Sequence, residues 1–285
     1  MKTLEQAHQE FNYEQLIQEQ LVGQPNAIND YIECCQRYVG LQKTALIWEG
    51  KNGESEQWSF EQLDVASAQL ANYFKSIGIQ VGDCIAGLLP RTPELLITIL
   101  ATWRIGAIYQ PLFTAFESKA IEHRVLTANT KLIVTNAEQR PKLNHVEVKH
   151  ILTVNAGTNL ASNEADFWQE AKQQSDQCEA VLRSFDDDFL MMFTSGTTGL
   201  AKSVPVPLKA VLAFKGYMQH AVDLREDDSF WNLADPGWAY GLYYGITGPL
   251  SLGHSIIMDE RAFSVDHAVE VIKKYRVSNL TGSPT

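Results

Sequence analysis

The sequence predicts an α/β fold of two lobes, each a mostly parallel sheet flanked by helices. Two observations carry this. Apolar strand-length runs alternate with helix-period segments between Trp58 and Thr135, and the same alternation returns between Ser229 and Thr281. Composition agrees: over 285 residues, 45% hydrophobic and 20% charged is ordinary for a packed globular chain.

The elements follow in order. Ser59, Phe60, Glu61 and Gln62 form a capping box. Leu63, Ala66, Leu70, Phe74 and Ile77 then recur at helical spacing, and Gly78 supplies the stop. Cys84–Leu89 reads as a buried strand. Thr92 and Pro93 open a helix, with proline at the first helical position, and Gly106 closes it. Ile108–Phe113 is a strand, Ser118–Asn129 a helix and Lys131–Thr135 a strand. A polar stretch, Asn155–Asp188, follows, with a helix near Glu164–Gln174. The lobe boundary is placed close to Phe185–Asp188, dividing the chain into 1–185 and 186–285. In the second block, Ser229–Ala234 is a strand, Tyr240–Leu252 a helix containing Pro249, and His254–Asp259 a strand. Ser264–Arg276 is a helix capped by Ser264, and Val277–Thr281 is the last strand. No C-terminal helix closes this lobe before Thr285, so the chain is expected to be cut from a larger protein.

Several function classes lose support. The net charge is −11, which opposes a nucleic-acid binder but not a small anion held by backbone N–H groups. The most apolar helical stretch, Leu95–Ile108, is interrupted by Arg104 and is too short to span a bilayer. The N-terminus has no apolar signal core, and the four cysteines form no CxxC pair. A cytoplasmic protein with free thiols is the expectation. The seven histidines show no HExxH spacing, and Ser195 stands outside any GxSxG elbow.

One segment carries chemistry. The apolar run Phe189–Phe193 leads into Thr194, Ser195, Gly196, Thr197, Thr198 and Gly199, with Lys202 close behind. Glycines let the backbone approach a ligand, the hydroxyls add donors and the lysine adds a cation, a combination suited to phosphate. The segment approaches the Walker A pattern, with Ala201 in place of its second glycine. Pro205 and Pro207 oppose that reading. Each biases its predecessor towards extended backbone, so the segment leaves the loop extended and a helix waits until about Leu208–Lys209. A Ser/Thr/Gly surface turn without a ligand stays open on these residues alone.

This hydroxyl-rich loop with its lysine resembles the phosphate loop of the AMP-forming acyl-CoA synthetases, in the adenylate-forming superfamily. Other stretches agree in order. They are Ala45–Glu49 with Trp58–Leu63, Thr102–Pro111, Asp235–Gly241 followed by Gly248–Gly253, and Ser283–Thr285. The Asp235–Gly241 segment is closest to the acetyl-CoA synthetase branch. The resemblance covers the chain from about Ala27 to its end. One departure is Ala201-Lys202-Ser203, where the family usually has Pro-Lys-Gly.

The resemblance implies the large N-terminal domain of such enzymes, with two Rossmann-like lobes, the second incomplete here and the small C-terminal domain absent. It implies ATP, Mg2+ and coenzyme A as cofactors, and a short- to medium-chain carboxylic acid as substrate. The acid would become an acyl-adenylate and then an acyl-CoA. By the same resemblance Lys202 is catalytic, and Thr194, Ser195, Gly196, Thr197, Thr198 and Gly199 hold the ATP phosphates. Trp238, Ala239, Tyr240 and Gly241 line the acid pocket, and Arg140 meets coenzyme A. No residue of this chain is assigned to the metal. Trp238 taken alone reads as a core aromatic, and Arg140 taken alone as a solvated surface residue. Two other readings keep the fold: a nucleotide- or acyl-binding fragment without turnover, and an adenylation domain that loads a carrier protein.

Overall fold

The computed structural model describes residues 5–6, 12–158, 160–194 and 200–282. Its largest sheet uses β3 (Cys84–Leu88), β4 (Ile108–Pro111), β5 (Leu132–Asn136), β6 (His150–Val154), β7 (Glu164–Asp166), β8 (Asp188–Thr194) and β9 (Lys202–Pro207). Their spatial order is β7-β6-β5-β3-β4-β8-β9. All neighbours are parallel except β8 and β9, which form an antiparallel hairpin at the edge. β3 is buried along its whole length, as expected of a strand covered on both faces.

The helices form where their sequence signals stand. Phe60–Ser76 starts in the Ser59/Gln62 capping box, with both reciprocal hydrogen bonds made. It buries Leu63, Ala66, Leu70 and Phe74 on one side. Pro93–Arg104 packs beside it and is buried over almost all of its surface. Gly106 turns the chain out of that helix at φ +70°, a conformation that glycine adopts without penalty.

Two expectations change. The helix anticipated over Glu164–Gln174 is shorter. Glu164–Asp166 pair with Ile151–Thr153 as β7, and the Asp166 side chain then caps a five-residue helix, Phe167–Ala171, by accepting from the Gln169 amide. The helix anticipated over Tyr240–Leu252 forms, running without a gap from Ala239 to Ser251, but it widens into a π turn at Tyr243–Thr247. Pro249 has no N–H to donate back along a regular helix, and the wide turn sits just before it.

Two small sheets complete the described fold. β1 (Thr44–Glu49) pairs with β2 (Ser55–Ser59) and with β11 (Ile256–Asp259). β10 (Phe230–Asn232) pairs with β12 (Asn279–Thr281). The strand pairing β4–β8 and β1–β11, and one apolar core running from Ile17 to Met258, extend across position 185/186, where the sequence places a lobe boundary. No described helix is long and apolar enough to cross a membrane.

Candidate active site

The β8–β9 hairpin builds the first part of the site. Phe189, Leu190 and Met192 anchor β8 in the core, and Val206 anchors β9. The register sets Thr194 opposite Lys202 and Phe193 opposite Ser203. Thr194 and Lys202 therefore stand together where β8 ends and β9 begins, both exposed. Ser195, Gly196, Thr197, Thr198 and Gly199 lie outside the described residues. β9 is the last strand of its sheet, so Pro205 and Pro207 remove no hydrogen bond from a further neighbour. The helix that follows, Ala210–His220, begins only after the extended segment. The chain thus runs strand, loop, strand, and the Walker A alternative is excluded by its topology.

Residues that sequence reasoning did not single out hold this hairpin. His123 places Nε2 2.8 Å from the Ala201 carbonyl, which only accepts, so Nε2 carries the proton and donates. The Arg124 guanidinium lies 4.1 Å from the Phe116 ring centroid and 5.6 Å from that of Phe193. Burial lowers the Arg124 pKa from its usual value. Both residues belong to the Ser118–Thr127 helix, far from the hairpin in sequence, and no local pattern marks them.

The second part is an aromatic wall. Trp238 keeps 43% of its surface exposed, so it is not a plain core aromatic. Its ring lies 5.6 Å from both Phe113 and Phe116, edge-on to the latter. Behind it, the Asp235 side chain accepts from the Gly237 amide at 2.7 Å. Burial raises the Asp235 pKa, against lowering by the Gly237 amide and Arg91. Gly241 has no alternative: a Cβ there would stand 2.2 Å from the Asp235 carbonyl oxygen. Ala239 and Tyr240 begin the helix that contains the π turn. Tyr240 meets Tyr244 at 5.3 Å, and Tyr244 stacks on Tyr217 at 3.9 Å.

The third part is the turn Arg140–Leu143. Arg140 donates from Nε to Glu164 at 2.9 Å and from Nη1 to Asn144 at 3.2 Å. It is a positioned side chain, not a free surface one. Next to it, Lys142 Nζ donates to the Thr114 carbonyl. Thr114 lies between Phe113 and Phe116, so this bond ties the Arg140 turn to the loop that carries the aromatic wall.

Among the described residues, no three His, Cys, Asp or Glu side chains converge as a metal site. No step is assigned to Mg2+.

The β8–β9 hairpin stands beside the aromatic wall, with Arg124 between Phe116 and Phe193. The model of the AMP-binding enzyme family matches residues 34–285. The chain belongs to the AMP-binding enzyme family. A crystal structure of Brucella canis acyl-CoA synthetase superposes with a TM-score of 0.96 at 47% identity, covering 100% of this chain and 52% of that one. The acetyl-coenzyme A synthetase of Deinococcus radiodurans is 32% identical over 299 residues, covering 92% of this chain and 44% of the relative. That of Bacillus subtilis is 29% identical over 269 residues, covering 92% and 46%. The chain spans about half the length of the relatives it matches.

Proposed function

We propose that this AMP-binding family member activates a carboxylic acid at the expense of ATP and passes the acyl group to coenzyme A. The observation that carries the reading is the placement of Lys202 across from Thr194, at the mouth of an anchored hairpin. In the first step the carboxylate attacks the α-phosphorus of ATP and pyrophosphate leaves. Lys202 places a point cation where the leaving charge develops, and a fixed cation there lowers the barrier more than mobile water does. Thr194 adds a hydroxyl donor beside it, and Ser195, Gly196, Thr197, Thr198 and Gly199 are assigned to the same phosphates. In the second step the coenzyme A thiol displaces AMP and forms the thioester.

The acid lies against Trp238, Ala239, Tyr240 and Gly241, with Phe113 and Phe116 shielding the reacting carboxylate from water. A large rigid indole limits the length of the chain that fits, which supports a short to medium acid. Arg140 is assigned to coenzyme A, supported by the Lys142 tie that holds its turn beside the aromatic wall.

The test is the nucleotide product. The protein, isolated from its own source, is given ATP, Mg2+, coenzyme A and acetate, butyrate or octanoate in turn. The reading predicts AMP, pyrophosphate and an acyl-CoA in equal amounts. Formation of ADP, or of no thioester with any acid, contradicts it.

A further inference from the structure

Beyond the aromatic wall, the site contains polar groups that an aliphatic chain would leave unused. Asn232 ends β10 and is only 8% exposed. Its Oδ1 accepts from the Ala234 amide at 2.8 Å, which fixes the side chain. Its Nδ2 is buried and has no hydrogen-bond partner. That nitrogen lies 3.4 Å from the point where a Cβ on Gly245 would stand, so it faces the wide turn Tyr243–Thr247. Thr281 is the partner of Asn232 across the parallel β10–β12 pair, so the two side chains share one face. The Thr281 Oγ1 is likewise buried, with the Tyr240 hydroxyl as its neighbour. The Tyr240 hydroxyl lies against Thr281 and Tyr217. The stacked Tyr217 and Tyr244 rings complete the wall.

Leaving a buried donor unpaired is costly, so Asn232 Nδ2 calls for an acceptor, and the Thr281 oxygen on the same face can receive a proton from the same group. Trp238 is exposed, Tyr240 is two residues further along and reaches Thr281, and Thr281 is the strand partner of the buried Asn232. We propose that Asn232 and Thr281, with Tyr217 and Tyr240, form the distal end of the acid pocket, and that the acid it takes carries a hydroxyl group there. The hydroxyl oxygen accepts from Asn232 Nδ2, and the hydroxyl proton goes to Thr281 Oγ1. This rests on the acid-activating reading above and names its substrate class as a hydroxy acid.

The test uses two pairs of acids that differ only in a methyl or a hydroxyl: pentanoate with 4-hydroxybutyrate, and 4-methylbenzoate with 4-hydroxybenzoate. Binding is measured by calorimetry. In at least one pair the hydroxy acid is expected to bind about ten- to a hundredfold more tightly, the range for a site whose polar groups are otherwise left unpaired. Tyr217→Phe keeps the ring stack and should shrink that advantage, and Asn232→Leu should abolish it. If the methyl acids bind as well or better in both pairs, the polar end holds only water and the inference is overturned, while acid binding stands. If no acid binds at all, both the inference and the acid-activating reading fall.

Discussion

Lys202 and Gly241 show how differently single residues serve this site. Lys202 is exposed, and the role proposed for it is one of charge. Replacing it with alanine should slow adenylation about 10²–10³-fold, as loss of one group aimed at developing charge typically does, and leave carboxylate binding nearly unchanged. Single-turnover kinetics with equilibrium acid binding separates the two. Gly241 contributes by absence. Its missing Cβ lets the Asp235 carbonyl close on the helix start. Gly241→Ala should cost about 1–3 kcal/mol from overpacking and displace Trp238 and Tyr240 together. Denaturant unfolding gives the stability change, and unaltered stability would show that the Asp235 turn can yield.

At the scale of elements, local signals acted where they were strong. The Ser59 capping box forms as read, with Gln62 returning the bond to the Ser59 amide. Ser59→Ala should cost about 1 kcal/mol, the usual worth of an N-cap, measurable as a lower thermal midpoint without change in acid binding. The alternation of strands and helices, Pro93 at a helix start, and the extended exit at Pro205 and Pro207 were likewise legible, because each depends on neighbours in sequence. The Glu164–Gln174 segment was not. Its apolar and polar residues suit a helix, but pairing with β6 takes Glu164–Asp166 and leaves only five residues helical. The support of the site was equally hidden. Arg124 over Phe193, His123 on Ala201 and Lys142 on Thr114 join residues 28 to 78 positions apart, beyond the reach of periodicity. Trp238 and Tyr240 were named through resemblance; their partners Phe113, Phe116, Tyr217 and Tyr244 came from packing alone.

Across the whole molecule, distant segments are joined by buried polar groups as well as by the apolar core. Lys215, on the Ala210–His220 helix, is 2% exposed and donates to the Gln20 carbonyl at 2.5 Å, fastening the Tyr13–Gln20 helix. Burial, assisted by Arg37, pushes its pKa down to about 8 from 10.5, against Glu33, Cys34 and Asp30. The folded protein releases this proton near pH 8, whereas the unfolded chain holds it to about 10.5. Between those values the unfolded state binds more protons, so Lys215 contributes a rise in stability with pH. The buried thiols of Cys34, Cys35 and Cys84 act in the opposite sense, since burial raises their pKa. The difference between wild type and Lys215→Met therefore isolates the lysine. Unfolding measured from pH 7.5 to 10.5 should show the variant gaining least relative to wild type at the alkaline end. A constant difference would mean that Lys215 keeps its proton throughout.

The same joining of distant segments brings the β8–β9 hairpin, the aromatic wall and the Arg140 turn together, and the proposed function makes them one site. The measurement that tests this most directly is acid-dependent exchange of labelled pyrophosphate into ATP, compared between wild type and Lys202→Ala. The account predicts exchange that requires a carboxylic acid and falls at least a hundredfold in the variant, in line with the loss of one charge-stabilising group. Exchange that proceeds without acid, or that survives undiminished without Lys202, would contradict it.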